Sequence, residues 1–432
     1  MAYDVTMMVL RRDGILSRTA RFSARAVRGL ARRGREGVTR IQQGRQATAA
    51  PRGTLPDITH HHMPNGYPQA AMEVAPSPPE SSDEATSARV IAAFVRARQF
   101  ERASIPSEKQ PNEGLWEMNK HAFHAPMYAL LERQDAAGLA SYLCNGLRTT
   151  AAHGIGPGAL IFQAAADPES AYAISTIIVD RLIAVAEALA VLPYENPEQG
   201  HWGSNIYEDL DKIATRIEEV TGHRLGFPRV FGNFGVRAGE RIIDVRTPDN
   251  VLTCHRMSTL LNGLEGRSIL EIGAGYGGTA YYSALRGVRN FTIVDLPFMN
   301  ALQGFFSIKV LGSDAVRLFG EQNASARIHV LPYWEIRNFH SRQFDITMNQ
   351  DSLPELPLSR AAEYVETIPT YTASFFYSIN QESMGLTDRH GGQQLVVPRL
   401  LEGNPAYRRI ARSPYWLRRG YVEEVYALNP PI

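Results

Sequence analysis

The chain has 432 residues, of which 44% are hydrophobic and 21% charged, and its formal net charge is +1. This composition is that of an ordinary folded protein of roughly two to three domains, which excludes collagen-like, disordered and disulfide-stapled classes. The two cysteines, Cys144 and Cys254, are too few for a disulfide framework or for a structural zinc site on their own. They fit a reducing compartment, so we predict a cytoplasmic protein.

Charge is distributed unevenly along the chain. Residues 1–47 contain 11 arginines, no lysine and three acidic residues, and the remainder carries a formal charge of −7. An acidic body binds nucleic acid poorly, so we predict no nucleic-acid partner. We predict that the basic segment is disordered, with weak contact to an anionic surface as the alternative. Residues 48–85 contain seven prolines, which predicts a linker.

Residues 86–228 have the apolar spacing of helices, and we predict a mostly helical lid or acceptor-binding domain. The longest apolar stretch, Ala171 to Leu192, contains Asp180, Arg181 and Glu187. Charges at these positions predict a buried amphipathic helix and no transmembrane segment.

Residues 229–432 change to alternating strands and helices, which predicts an α/β fold with a Rossmann-like parallel sheet covered on both faces. A late alternating segment, Tyr421 to Tyr426, predicts an antiparallel edge strand. The five predicted parallel strands are Ser268–Ile272, Phe291–Val294, Ile328–Leu331, Phe344–Met348 and Phe375–Ile379.

The strongest motif lies where the first of these strands ends. Residues 269–278 read Ile-Leu-Glu-Ile-Gly-Ala-Gly-Tyr-Gly-Gly, so a strand leads into a glycine-rich turn and a helix. Glycines let the backbone approach a ligand closely, and the helix N-terminus offers free N–H groups. The second strand ends at Asp295, where an acid can accept hydrogen bonds from both hydroxyls of a ribose. These features predict a nucleoside-bearing cofactor at the carboxyl ends of the strands.

The choice of cofactor depends on the residues around the glycines. Their spacing also satisfies the dinucleotide fingerprint, so an NAD(P)-dependent oxidoreductase is one alternative. Glu271, however, could reach the ammonium group of S-adenosyl-L-methionine, whereas a pyrophosphate there would meet a like charge. Gly277 completes a Gly-x-Gly-x-Gly spacing, and the late strand suits a mixed sheet. A non-catalytic nucleoside-binding module is the second alternative, and the intact motif argues against it.

Residues 271–277, followed by 292–297, resemble class I S-adenosylmethionine-dependent methyltransferases. More narrowly, residues 269–311, 349–355 and 420–424 resemble a sugar O-methyltransferase family, over about residues 229–428. The resemblance implies methyl transfer to a hydroxyl of a saccharide acceptor, as in polysaccharide biosynthesis. The resemblance implies that Glu271 binds the methionine part of the cofactor and that Asp295 binds its ribose. The other implied cofactor contacts are Gly273, Ala274, Gly275, Tyr276, Gly277 and Leu296.

Polar runs follow the fourth and fifth predicted strands and would reach the same rim of a parallel sheet. A sugar hydroxyl is a weak acid, so a base or a divalent metal such as Mg²⁺ should assist its methylation. Asp351 and Glu382 are the first candidates for the base or for metal ligands, with helix capping and a solvated loop acid as the alternatives. His255 is a third candidate for the base because its ordinary pKa lies near neutrality. Aromatic candidates for stacking on sugar faces are Trp116, Tyr128, Tyr194 and Trp202.

Overall fold

The computed structural model describes residues 66–75, 77–106, 110, 115–156, 158–196, 198–200, 203–382 and 394–429. The predictions for residues 1–47, for the first part of the linker and for Trp202 lie outside these residues. No helix within the described part of the chain is long and apolar enough to span a bilayer.

The strands form a small antiparallel sheet, β1-β2-β3, and an eight-stranded sheet with the order β10-β11-β9-β8-β4-β5-β7-β6. Numbered along the chain, they are β1 (Met72–Val74), β2 (Phe234–Ala238), β3 (Arg241–Ile243), β4 (Ser268–Ile272), β5 (Asn290–Asp295), β6 (Val316–Leu318), β7 (Ile328–Pro332), β8 (Phe344–Gln350), β9 (Thr372–Gln381), β10 (Tyr407–Pro414) and β11 (Tyr421–Leu428).

The large sheet confirms the predicted fold class. Its strands pair in parallel from β6 through to β9, and β11 pairs antiparallel with both of its neighbours, β9 and β10. All five residues of β4 are buried, as expected for a central strand with helices on both faces. The antiparallel strand lies one place inside the edge, because β10 adds an outer strand that the sequence pattern did not predict. Beyond Tyr407 the residues of β10 are exposed and rich in arginine, which is typical of a protected edge strand.

Helices cover the sheet and build most of the chain before residue 228. They are α1 (Ser81–Ser104), α2 (Leu115–Ala122), α3 (Ala125–Glu132), α4 (Ala136–Leu143), α5 (Gly158–Ala164), α6 (Pro168–Ala188), α7 (Leu210–Thr221), α8 (Thr247–Leu261), α9 (Gly278–Leu285), α10 (Pro297–Leu311), α11 (Leu358–Tyr371) and α12 (Val397–Leu401). The long apolar stretch forms α6, whose start is set by Pro168 and by the Asp167 side chain, which accepts a hydrogen bond from Ser170 N–H. From residue 174 on, α6 is buried, as predicted.

The structure departs from the predicted linker over residues 66–85. Strand β1 pairs with β2, and α1 already begins at Ser81. Tyr67 is buried, and its hydroxyl donates a hydrogen bond to the carboxylate of Asp180 on α6. These contacts offset the ordering entropy that a proline-rich segment alone could not.

The helical part and the large sheet share one apolar core. Helix α1 packs along α10, and buried side chains of both belong to a single hydrophobic cluster. Polar contacts reinforce this packing, since Arg89 of α1 forms an ion pair of 2.7 Å with Glu321. The helices before residue 228 are therefore held against the sheet, close to the ends of its parallel strands.

Candidate active site

A cleft of about 580 Å³ opens at the carboxyl ends of β4, β5, β7 and β8. This is where a parallel sheet gathers the loops that follow its strands. The helical region contributes to the opposite wall, with Trp116, Gly154 and Ile155 among the lining residues. The cleft is thus bounded both by the sheet and by the helices packed over it.

The glycine-rich turn forms the floor of the cleft. Gly273, Gly275 and Gly277 have φ angles of 72°, 58° and 95°, in the left-handed region that favours glycine. A Cβ atom on Gly273 would also collide with the side chain of Ser352. Gly273, Ala274 and Gly275 line the cleft, whereas Gly277 lies behind it as the N-cap residue of α9.

Tyr276 does not line the cleft, although it lies within the turn. Its side chain is 2% exposed and packs edge-on against Phe227 and Phe306. Its hydroxyl accepts a hydrogen bond of 3.2 Å from the amide of Asn250, which itself lines the cleft. Tyr276 therefore supports the turn from the core side and does not contact a ligand directly.

Glu271 is the last residue but one of β4, and its carboxyl group is almost fully buried in the cleft wall. The residue is 3% exposed, and its Oε2 has no hydrogen-bond partner among the described residues. Burial, and then the charge of Asp295, raise the pKa of Glu271 to about 8. Because buried polar atoms are normally hydrogen-bonded, the unpartnered Oε2 marks Glu271 as a group that can accept a hydrogen bond from a ligand.

Asp295 ends β5 on the same side of the cleft. Its carboxylate accepts hydrogen bonds from Leu296 N–H at 2.7 Å and from the Gln303 amide at 2.6 Å. Burial raises the pKa of Asp295 to about 6, against the effect of these bonds. Leu296 lines the cleft, as do Met299 and Tyr333, which together form an apolar wall near this end.

Arg246 was not among the predicted site residues. It lies just before α8, is half-buried and lines the cleft with Asn250. Among the described residues no carboxylate forms an ion pair with its guanidinium. The local sequence gives no signal for it, because Arg246 and the glycine turn come to the same cleft through the fold, in which α8 packs against α9.

Asp351 follows β8 and lines the cleft, but both its oxygens are already engaged. Oδ2 accepts a hydrogen bond of 2.9 Å from Arg418, and Oδ1 accepts one of 2.8 Å from the hydroxyl of Tyr421. Although burial opposes ionisation, the charge of Arg418 holds the pKa of Asp351 below its ordinary value. Asp351 is thus an ionised carboxylate fixed by β11 and the turn before it.

Glu355 lies four residues after Asp351, in the turn between β8 and α11. It lines the cleft, and its Oε2 accepts a hydrogen bond of 2.8 Å from the indole N–H of Trp116. Burial, and then the charge of Asp351, raise the pKa of Glu355 to about 8. The residue belongs to the segment 349–355 that carried the family resemblance, but the sequence did not single it out.

Two of the predicted catalytic residues lie outside the cleft lining. Glu382 forms two hydrogen bonds, of 2.8 and 2.9 Å, with Arg412 on β10, and this arginine lowers its pKa. His255 lies on α8, where burial and the charges of Arg256 and Arg286 lower its pKa. Neither side chain is placed to act on a ligand that occupies the cleft.

The candidate metal site is not assembled by the side chains. Asp351 forms an ion pair with Arg418 and lines the cleft, whereas Glu382 forms one with Arg412 and is not part of the cleft lining. Across the described ranges, no group of three or more His, Cys, Asp or Glu residues has the arrangement of a metal site. Of the aromatic candidates, Trp116 lines the cleft, whereas Tyr128 packs against Phe94.

No protein-family model and no curated protein matches the sequence. Solved structures do match. Magnesium protoporphyrin IX methyltransferase from Synechocystis PCC 6803, with bound SAH, is 12% identical, and the match covers 44% of this chain and 90% of that chain with a TM-score of 0.32. The 1,6-didemethyltoxoflavin-N1-methyltransferase of Burkholderia thailandensis is 15% identical (41% and 77% covered, TM-score 0.31). A SAM-dependent methyltransferase from Aquifex aeolicus is 17% identical (40% and 88% covered, TM-score 0.29). Similarity this distant assigns neither a family nor a substrate to the chain.

Proposed function

We propose that the protein is an S-adenosylmethionine-dependent O-methyltransferase whose acceptor is a hydroxyl group of a saccharide. One observation carries the cofactor assignment. Glu271 is a buried carboxyl group without a hydrogen-bond donor on Oε2, and it lies beside a glycine-rich turn at the carboxyl end of the first strand of the parallel core. An ammonium group donates hydrogen bonds and favours the ionised carboxylate, so the ammonium group of the cofactor's methionine part fits this oxygen.

The remaining polar groups of the cleft match the rest of the cofactor. Arg246 can bind the carboxylate of the methionine part, since this arginine forms no ion pair within the described residues. Asp295 can accept hydrogen bonds from the ribose hydroxyls, and Gln303 orients it. Met299 and Tyr333 offer apolar surface to the adenine, in keeping with the apolar pair Leu331-Pro332 that ends β7. When bound, the cofactor supplies a methyl group on a positively charged sulfur.

The alternatives fit less well. A nicotinamide dinucleotide would bring a pyrophosphate to the glycine turn, where it would meet the carboxyl group of Glu271. The sheet also departs from the all-parallel dinucleotide order, because β11 is inserted antiparallel beside β9. A non-catalytic binding module would not need Glu355, a cleft acid with a raised pKa to which the cofactor assignment gives no role.

The saccharide acceptor rests on the resemblance and on the chemistry of the cleft wall. Trp116 and Glu355 bring an indole and a carboxyl group to the cleft wall, and such groups are suited to a polyol. Both cysteines are buried and free, which fits the reducing cytoplasm that we predict.

The test is a methyl-transfer assay with radiolabelled S-adenosylmethionine and three acceptor sets: neutral methyl glycosides, phenols and primary amines. We expect label in a glycoside, no transfer by Glu271→Gln or Asp295→Asn, and transfer by the control Glu335→Gln, which changes a half-buried acid outside the cleft. Label in amines or phenols alone would overturn the saccharide assignment. Failure of the protein to bind the cofactor would overturn the methyltransferase assignment itself.

A further inference from the structure

We propose that Glu355 is the general base, the residue whose carboxylate takes the proton from the acceptor hydroxyl. This inference rests on the proposed function and names a residue for the step that the function requires. It replaces Asp351, Glu382 and His255, to which the sequence had assigned that role.

The position of Glu355 gives its carboxyl group access to the cleft. It lies in the turn Leu353–Glu355, directly after β8. Trp116, from the helical region, fixes Oε2 by its 2.8 Å hydrogen bond. Among the described residues Oε1 accepts no hydrogen bond, so one oxygen is held and the other remains open to a ligand.

The other acids that line the cleft already have partners or assigned roles. Asp351 is fixed by Arg418 and by a tyrosine hydroxyl. Glu363 is paired with two arginines of the cleft wall. Glu271 and Asp295 match the ammonium group and the ribose of the cofactor. Among the acids that line the cleft, Glu355 is therefore the candidate to contact the acceptor.

The charged groups around Glu355 suit it to a base that works near neutrality. Burial, and then the like charge of the facing Asp351, raise the pKa of Glu355 to about 8. Arg418 and the Trp116 N–H act in the opposite direction. Tyr421 also faces it, and the pKa of that hydroxyl is raised, so Tyr421 keeps its proton. A base is most effective when its pKa lies near the working pH.

The proposed step balances in atoms and electrons. The hydroxyl proton passes to the carboxylate of Glu355 while the oxygen–methyl bond forms. The sulfur–methyl bond breaks at the same time, and its electron pair stays on sulfur, which gives S-adenosylhomocysteine. The proton then leaves Glu355 for solvent.

The test measures protons released when S-adenosylmethionine or S-adenosylhomocysteine binds, by isothermal titration calorimetry in buffers of different ionisation enthalpy. The two ligands share the ammonium group and the ribose, so a proton released from Glu271 is common to both. Only S-adenosylmethionine carries the sulfonium charge, which should lower the pKa of a neighbouring Glu355. A drop of about one unit from the pKa of about 8 lowers the protonated fraction of Glu355 at pH 8 from about 0.5 to about 0.1. We therefore expect S-adenosylmethionine to release about 0.4 more protons than S-adenosylhomocysteine at that pH.

The difference between the two ligands should vanish in Glu355→Gln and persist in Glu335→Gln. In the unsubstituted protein it should be greatest between about pH 7 and 8, a result that does not depend on the folding of any variant. Equal proton release by the two ligands, or a difference that survives in Glu355→Gln, would overturn the role of Glu355. If neither ligand binds, the proposed function fails, and that outcome is distinct from the other two.

Discussion

Replacing Glu271 with glutamine should stabilise the ligand-free protein at alkaline pH while it weakens cofactor binding. The carboxyl group is 3% exposed, and its Oε2 has no donor within the described residues. Its ionised form is therefore poorly solvated in the fold, and an amide of the same shape avoids that ionisation. Stability and function oppose each other at this position, as is common at binding sites.

The sign and size of this effect follow from the pKa of Glu271, which rises from 4.5 to about 8 on folding. Between these pH values the native state holds a proton that the unfolded state has lost. This contribution to the stability of the fold is therefore fully retained below about pH 4.5 and falls as pH rises to about 8, where Glu271 ionises in the native state. At about 1.4 kcal/mol per pH unit, the advantage of Glu271→Gln has an upper limit of about 5 kcal/mol at pH 8.

The assay is urea unfolding of the ligand-free protein and of Glu271→Gln at about pH 5 and about pH 8, with exposed Glu402→Gln as the matched control. We expect near-equal stability at pH 5 and a more stable variant at pH 8, while its S-adenosylhomocysteine affinity falls by about 1–3 kcal/mol. A variant that is less stable at pH 8 than the unsubstituted protein, or that binds equally well, would refute this reasoning.

Three further predictions follow from the same site. Asp351→Asn should destabilise the fold by about 3 kcal/mol in urea unfolding, because it leaves the buried guanidinium of Arg418 unpaired, and a loss below about 1 kcal/mol would contradict this. Gly273→Ala should lower stability by about 1–3 kcal/mol and reduce S-adenosylhomocysteine affinity, since its φ is 72° and its Cβ would strike Ser352. Unchanged calorimetric affinity in that variant would count against the turn as the cofactor floor. The affinity for S-adenosylhomocysteine should also increase as pH is raised towards 8, by up to about tenfold per pH unit, because Glu271 must ionise to hold an ammonium group. An affinity that does not change with pH would speak against that pairing.

The fold could be predicted wherever the pattern was apolar and regular. The strand Ser268–Ile272 has the predicted bounds, and the predicted glycine turn and helix follow it, because a buried parallel strand and a glycine turn leave a local signature. Strand β10 was missed because its exposed arginines carry no strand periodicity. Strand β1 has three residues and depends on its pairing with β2, which no local pattern reports.

The site residues divide in the same way. Glu271 and Asp295 were predictable because strand ends place them at the cleft. Tyr276 shows the limit of such placement, since position in a motif does not set the direction of a side chain. Glu382 is bound by an arginine of the unpredicted strand β10. The side chain of Glu355 is held by a hydrogen bond from Trp116, which is 239 residues away along the chain, so no local pattern reports its position.

The most direct test of the central claim is the thermal shift of the purified protein with S-adenosylhomocysteine, beside NAD⁺ and NADH. A ligand at 100 times its Kd should stabilise the fold by about 2.7 kcal/mol, which is readily measured. We predict stabilisation by S-adenosylhomocysteine and none by the dinucleotides. Stabilisation by a dinucleotide alone would contradict the assignment of the cleft and point to hydride transfer instead.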